Sequence, residues 1–374
     1  MAVYRIFPRK DTFIFTEQST GNAGKDEIIE IGGYPKDSEF GETSRILTKF
    51  ADEDIIDVVD NIIGSNNYSA SYHMYLAEAS ELPTEYNLYA YPIYISGSIE
   101  WDNGVGKFDD IRVNTTGASW EYIQIGEVNP WQVSGSVIAN VTSSWINGKQ
   151  GGGTWYTSSN GESMEFSQNH TLNSSHDVDI NVTAAIKQMY TGSLPNKGFI
   201  VKLEDGYEAY TSASIRLKYF GRDTNTIYPS FLEFKWDDSS YATGSLNVLS
   251  TDISTISVKN NKGKYADEGK QRFKLTVRPK YPTRTFTTSS IYLTNYALPE
   301  ASYWGIKDEY TEEMIVDFDV NFTKVSCDTN GAYFDVYMGG LQPERYYRIL
   351  IKTELDGSDV IVDNENIFKI VRNG

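Results

Sequence analysis

Apolar and polar positions along this chain alternate with a period of two in short runs. The runs are broken by clusters of Gly, Asn, Asp and Ser. A period of two puts successive side chains on opposite faces of an extended strand. It predicts strands at 12–15, 45–50, 71–79, 87–95, 197–203, 214–219 and 231–236. Turn clusters separate them: Gly21-Asn22-Ala23-Gly24, Asp102-Asn103-Gly104 and Gly151-Gly152-Gly153. Helical spacing is confined to 52–60 and 182–190, the latter with Asn181 as N-cap and Gly192 as stop. A second series of strands follows at 272–277, 314–318, 332–338, 346–352 and 367–371. A polar stretch at 237–244 divides the two series. The pattern predicts an all-β chain with a large, jelly-roll-like β-sandwich domain at 1–240 and a smaller β domain at 241–374. The lead-in at 244–314 is expected to be irregular.

Residues 100–175 break this rhythm. Trp101, Trp120, Trp131, Trp145 and Trp155 stand among Gly, Ser and Asn. They predict long inter-strand loops, each anchored by an aromatic ring. Three roles are open to these rings: plugs packed on the sandwich, anchors at a protein interface, or platforms for sugar rings. Trp101, Trp131 and Trp155 lie in the most Gly- and Asn-rich surroundings and are the candidate interface or glycan contacts.

Charge narrows the partners. The chain of 374 residues carries a net charge of −18 and has no Lys/Arg cluster. Phosphate contacts need such clusters, so direct binding to nucleic acid is not expected. The N-terminus has no apolar signal core, and no apolar run approaches the ~18 residues of a membrane span. The expectation is a protein made in a cytoplasm, without membrane insertion, that stays soluble or enters a particle there. Sequons at Asn114 and Asn140 then read as by-products of an Asn/Ser/Thr-rich composition. The single cysteine, Cys327, reads as a small apolar residue buried in a strand.

Catalytic constellations are hard to find in the sequence. His73 falls inside a strand. His170 and His176, near Asp177 and Asp179, do not have a zinc spacing and read as a solvated loop. Asp109-Asp110 and Asp237-Asp238 are adjacent pairs, which point to opposite faces of a strand and so suit turns. Asp102-Asn103-Gly104 reads as a tight turn, since no calcium-loop register follows it. The glycine run 151–153 lacks the lysine of a phosphate loop, and no nucleophile elbow occurs. No catalytic residue, cofactor or metal is expected.

The ordered motifs of residues 8–236 resemble the DNRLRE family, β-sandwich modules related to carbohydrate-binding modules. The likeness rests on Asp11-Thr12-Phe13-Ile14, on Arg45 through Lys49-Phe50, on Leu76 and on Ser119-Trp120. It continues through 179–183, 198–202 and 229–233. The C-terminal part resembles an immunoglobulin or fibronectin type III sandwich through Leu341-Gln342-Pro343-Glu344-Arg345-Tyr346-Tyr347. That resemblance implies an immunoglobulin-like domain in which the Tyr347 hydroxyl bonds back to the backbone near the turn. The whole chain is similar in style to virion structural proteins of tailed bacteriophages, particularly contractile-tailed marine ones. This implies a non-enzymatic component of the tail, neck or collar, fibre-attachment region or capsid decoration. Its partners would be other virion proteins and copies of itself. One alternative is an adhesin module that binds a host-surface glycan. Another is a polysaccharide-degrading enzyme.

Overall fold

A computed structural model describes residues 2–36, 40–108, 116–131, 140–143, 150–208, 214–283 and 294–372. Among these the architecture is all-β, with short helices between strands. The chain divides into two compact units, Ile6–Glu233 and Phe234–Gly374, and the second also takes Met1–Arg5. The division falls inside strand Phe231–Trp236, just before the polar stretch at 237–244. Among the described residues no helix is long and apolar enough to cross a membrane.

The larger unit is organised by an eight-stranded sheet. Its order runs Phe166–Thr171, Glu85–Pro92, Phe199–Leu203, Phe40–Lys49, Ile28–Lys36, Ile215–Phe220 and Leu76–Ser80. Strand Lys10–Phe15 pairs off this path with Phe40–Lys49. Alternation explains the strands well. In Ile215–Phe220 the odd positions Ile215, Leu217 and Tyr219 are buried, whereas Arg216, Lys218 and Phe220 are half-exposed. A further sheet carries Val178–Asn181, Ser69–Met74 and Phe231–Trp236.

The strand expected at 71–79 is two strands. Ser69–Met74 belongs to the smaller sheet and Leu76–Ser80 to the large one. The chain turns the corner at Tyr75, whose ring meets Tyr228 edge-on at 5.1 Å. Asp177 accepts the Leu76 N–H at 2.7 Å, which fixes the new direction. The apolar run Met74-Tyr75-Leu76-Ala77 bridges the corner without a Gly or Pro, so the sequence gives no turn signal there. The helical stretches form as Asp52–Asp57, which runs into a π-helical turn Val58–Ile63, and as Thr183–Tyr190. In the second, Val182 holds the N-cap position. Asn181 still accepts the Thr183 N–H at 3.1 Å, and Gly192 ends the helix at φ 73°.

The smaller unit is a two-sheet sandwich. One sheet orders Ser254–Val258, Lys270–Pro279, Gly331–Tyr337 and Ser326–Asp328. The other orders Lys264–Ala266, Ser358–Val371, Tyr346–Leu355, Ser302–Asp308 and Met314–Val316. The stretch 244–314 is therefore not an irregular lead-in, since it supplies four of these strands. Ser254–Val258 is rich in Ser and Thr, and Ser302–Asp308 mixes Trp, Gly and Lys, so neither advertises itself by apolar alternation. The core includes Phe273, Phe334 and Trp304, with Trp304 stacked on Phe334 at 5.4 Å. Tyr347 donates its hydroxyl to the Gln342 carbonyl at 2.9 Å, the turn-closing bond expected from the sequence. Cys327 is a free, buried thiol in strand Ser326–Asp328.

Candidate functional site

The tryptophan candidates are interior residues. Trp101, Trp131 and Trp155 are 0, 2 and 4% exposed. They cannot stack on a sugar or anchor a partner while the chain is folded, which corrects the reading of these three as contacts. They share one apolar cluster with Trp120, Ile14, Leu47, Tyr91 and Ile200. Those last four lie on neighbouring strands of the large sheet, so the loops fold down on it as a layer. Trp101 Nε1 donates to the Lys197 carbonyl at 2.7 Å, and Trp131 Nε1 to that of Ser119 at 2.8 Å. Asn22, fully buried, ties the loops together. Its Nδ2 donates to the carbonyls of Asn103 at 2.6 Å and Ala118 at 2.8 Å, and its Oδ1 accepts the Gly106 N–H at 3.0 Å. Gly104 and Gly117 crowd against it at φ 76° and 93°, where any Cβ would sit within 2.4 Å of the Asn22 amide. Trp145, Asp109, Asp110 and Asn114 lie outside the described residues.

Beneath this layer sits a buried ion network. Arg45 forms a two-pronged pair with Glu208, Nε to Oε1 at 2.8 Å and Nη2 to Oε2 at 2.7 Å. Its Nη1 donates to the Gly152 carbonyl at 2.5 Å. Lys202 reaches Glu208 at 3.1 Å and Asp205 at 2.6 Å. The Arg45 guanidinium lies 4.9 Å from the Trp120 ring and 5.2 Å from that of Trp155. Charges removed from water persist only when paired and hydrogen-bonded, and here the indoles take the place of water. The tryptophans therefore serve as lids on a structural network.

Among the described residues no group of three His, Cys, Asp or Glu side chains is placed to hold a metal. His170 is buried and stacks on Tyr86 at 5.0 Å, with Nδ1 donating to the Ser175 carbonyl at 3.0 Å. His176 Nδ1 meets the Tyr86 hydroxyl at 2.8 Å. The pair is thus part of an aromatic stack, not a solvated loop. Burial holds His170 below the ordinary histidine range. His73 stacks on Phe231 at 4.8 Å and lies 3.3 Å from Asp179. Asp237 closes a turn by accepting the Ser239 N–H at 2.9 Å.

An open site lies elsewhere on the large sheet. A cleft of about 660 Å³ is bounded by strands Ile28–Lys36, Ile215–Phe220 and Leu76–Ser80 and by Lys107 and Phe108. Register builds its charged side: Lys218 pairs across with Glu30 on one neighbour and Glu78 on the other. Lys218 Nζ reaches Glu78 at 2.7 Å, and Arg216 Nε reaches Glu30 at 3.0 Å. Burial raises the Glu30 carboxyl above its usual range, against the pull of Arg216. Phe13, Phe108 and Phe220 supply the apolar side. Asp26 accepts the Phe108 N–H at 2.8 Å and fixes that wall. Sequence reasoning missed this site because its parts come from five distant segments. The signal was the polar half of the alternation in 214–219.

No protein-family model matches the chain, and no curated protein matches it. Among solved structures, that of a DUF4785 family protein from Legionella pneumophila aligns with 99% of this chain and 66% of its own, at 9% identity and a TM-score of 0.19. At that TM-score the alignment carries no argument about fold or function.

Proposed function

We propose that this chain is a non-enzymatic structural component of a tailed-bacteriophage particle, acting by protein–protein assembly at the tail, neck or capsid surface. One observation supports the mechanism above the others. The described parts of the long loops of the larger unit are pinned from beneath, by the cluster of Trp101, Trp120, Trp131 and Trp155 and by Asn22. A surface fixed in advance loses little conformational entropy when a partner docks, so more of the contact energy appears as affinity. Closed symmetric repetition then multiplies each contact. The phage assignment itself draws on the tandem sandwiches and on the Tyr- and Asn-rich composition.

Mass spectrometry of purified particles tests this reading. The expected result is the polypeptide at a fixed stoichiometry in intact particles. Its absence from particles of the phage that encodes it, or its loss on gentle washing, sinks the assignment.

A further inference from the structure

The cleft on the large sheet has no part in that assembly mechanism, and its chemistry is selective. Asp26, Glu27, Glu30 and Glu78 face Lys107, Arg216 and Lys218, so the two signs nearly cancel. The floor charges are already paired, Arg216 with Glu30 and Lys218 with Glu78. A phosphorylated or sulfated ligand would have to compete with those carboxylates for the cations, and a polycation would have to displace the cations. The fixed groups still offer what a neutral polar ligand needs. Carboxylate oxygens accept, and the ammonium and guanidinium groups donate, each with geometry held by its partner. Phe108 and Phe220 are half-buried and line the cleft together with Ile28 and Ala77, which gives it an apolar part. Phe220 is braced by Tyr228 at 5.4 Å, and Phe108 by Phe15 at 4.8 Å.

A ring with hydroxyls around its edge and C–H groups on its face matches both halves. We propose that this cleft binds a neutral saccharide, with the C–H face against the phenylalanines and the hydroxyls on the Arg216–Glu30 and Lys218–Glu78 pairs. The cleft gives the chain a recognition function beyond assembly, and it takes the sugar-binding role that the buried tryptophans cannot fill. The inference does not depend on the particle assignment, because it concerns the purified chain alone.

The test is an array of immobilised glycans probed with the intact protein, with neutral hexose- and N-acetylhexosamine-terminated chains beside sulfated and sialylated ones. Arg216→Gln and Lys218→Met variants are probed in parallel, and a thermal melt confirms that each is folded. The expected result is retention of the wild type on at least one neutral glycan, with signal reduced tenfold or more in both variants. Three results overturn the proposal: no neutral glycan retained, retention confined to anionic glycans, or undiminished binding by the folded variants. A free peptide that displaces the bound glycan at comparable concentration also overturns it, since the cleft would then be a protein-docking site.

Discussion

Arg45 and Arg216 stand on the same large sheet and each pairs with a glutamate, yet the two pairs live in different worlds. Arg45 and Glu208 have no exposed side-chain surface, and Lys202 beside them has 3%. Arg216 and Glu30 are 36 and 11% exposed, and Lys218 and Glu78 are 32 and 62% exposed. Trp120 and Trp155 close over the first pair and leave it no exposed surface, whereas the Tyr34 ring, 4.5 Å from the Arg216 guanidinium, covers one side of the second and leaves it open to solvent. The difference teaches that the indoles, more than the ions, separate scaffold from site. Where a Trp-bearing loop lies down, charge becomes internal and structural. Where the sheet is left open beside Lys107 and Phe108, the same chemistry faces solvent and can meet a ligand.

The strongest way to break this comparison is to strip a partner from the sealed network. Glu208→Ala leaves Arg45 and Lys202 buried without their shared counter-ion. Loss of one member of a buried pair costs about 3–5 kcal/mol. The measurement is the urea unfolding midpoint of the intact chain. The double change Arg45→Met with Glu208→Leu removes both members of the main pair, leaves Lys202 to Asp205, and should recover much of that loss. If Glu208→Ala unfolds at the wild-type midpoint, the network is not the structural element argued for. Trp155→Ala removes a lid from the same network and should cost a similar amount, about 3–5 kcal/mol for a buried Trp.

A second, smaller effect comes from pH. Asp11 is buried, and desolvation pushes its carboxyl up to about 6 despite the Arg222 N–H at 2.6 Å. The folded state then holds a proton that the unfolded chain has already released. Its contribution is full below the unfolded value of 3.8 and is lost as pH rises through about 6. Asp11→Asn should therefore stabilise the chain by about 2 kcal/mol at pH 7 and by much less at pH 4. His170 acts in the opposite sense. Burial lowers its pKa, so the unfolded chain binds a proton first, and stability is lost as pH falls below about 6.5. His170→Phe should flatten that acid limb while leaving the alkaline side unchanged. Unfolding midpoints across pH 4–8 for the two variants separate the contributions.

Much of the fold could be read from alternation, because a half-buried strand writes its two environments into odd and even positions. Ile215, Leu217 and Tyr219 against Arg216 and Lys218 are the plainest case. The Tyr347 bond was legible for a different reason: the resemblance of Leu341–Tyr347 to an immunoglobulin-type corner implied it. Strand Ile28–Lys36 was not legible, because Gly32-Gly33 and Pro35 interrupt the apolar alternation that marks the other strands. Gly33 is there for close approach, since a Cβ would lie 2.4 Å from the Tyr207 carbonyl oxygen. Exposure of the tryptophans was illegible too. A ring among glycines has the same local sequence whether its loop stands away from the sheet or lies flat on it. The cleft was hidden because Glu30, Glu78 and Lys218 become neighbours only through strand register.

A third prediction asks whether one hydrogen bond closes the corner of the smaller unit. Tyr347→Phe keeps the ring in its core and removes only the bond to the Gln342 carbonyl. The expected loss is about 1 kcal/mol, seen as a lowered unfolding midpoint with an unchanged denaturant slope. A neutral result would make the corner a matter of ring packing alone.

The smallest expected effect sharpens the opening comparison most. Lys218→Met and Glu78→Gln each break the open pair, whose members keep solvent access on the sheet surface. Water replaces a lost partner at an exposed site, and the side chains regain rotamer freedom, so the unfolding midpoint should stay within experimental scatter. Set beside Glu208→Ala, this is a contrast between breaking a sealed ion pair and breaking an open one, each built on a cation of the same sheet. If the open pair proves as costly to break as the sealed one, the cleft is scaffold, and exposure is the wrong criterion for separating the two. If it proves silent in stability, these residues are free to be spent on recognition, and any change that Lys218→Met produces in binding is read directly as a contact.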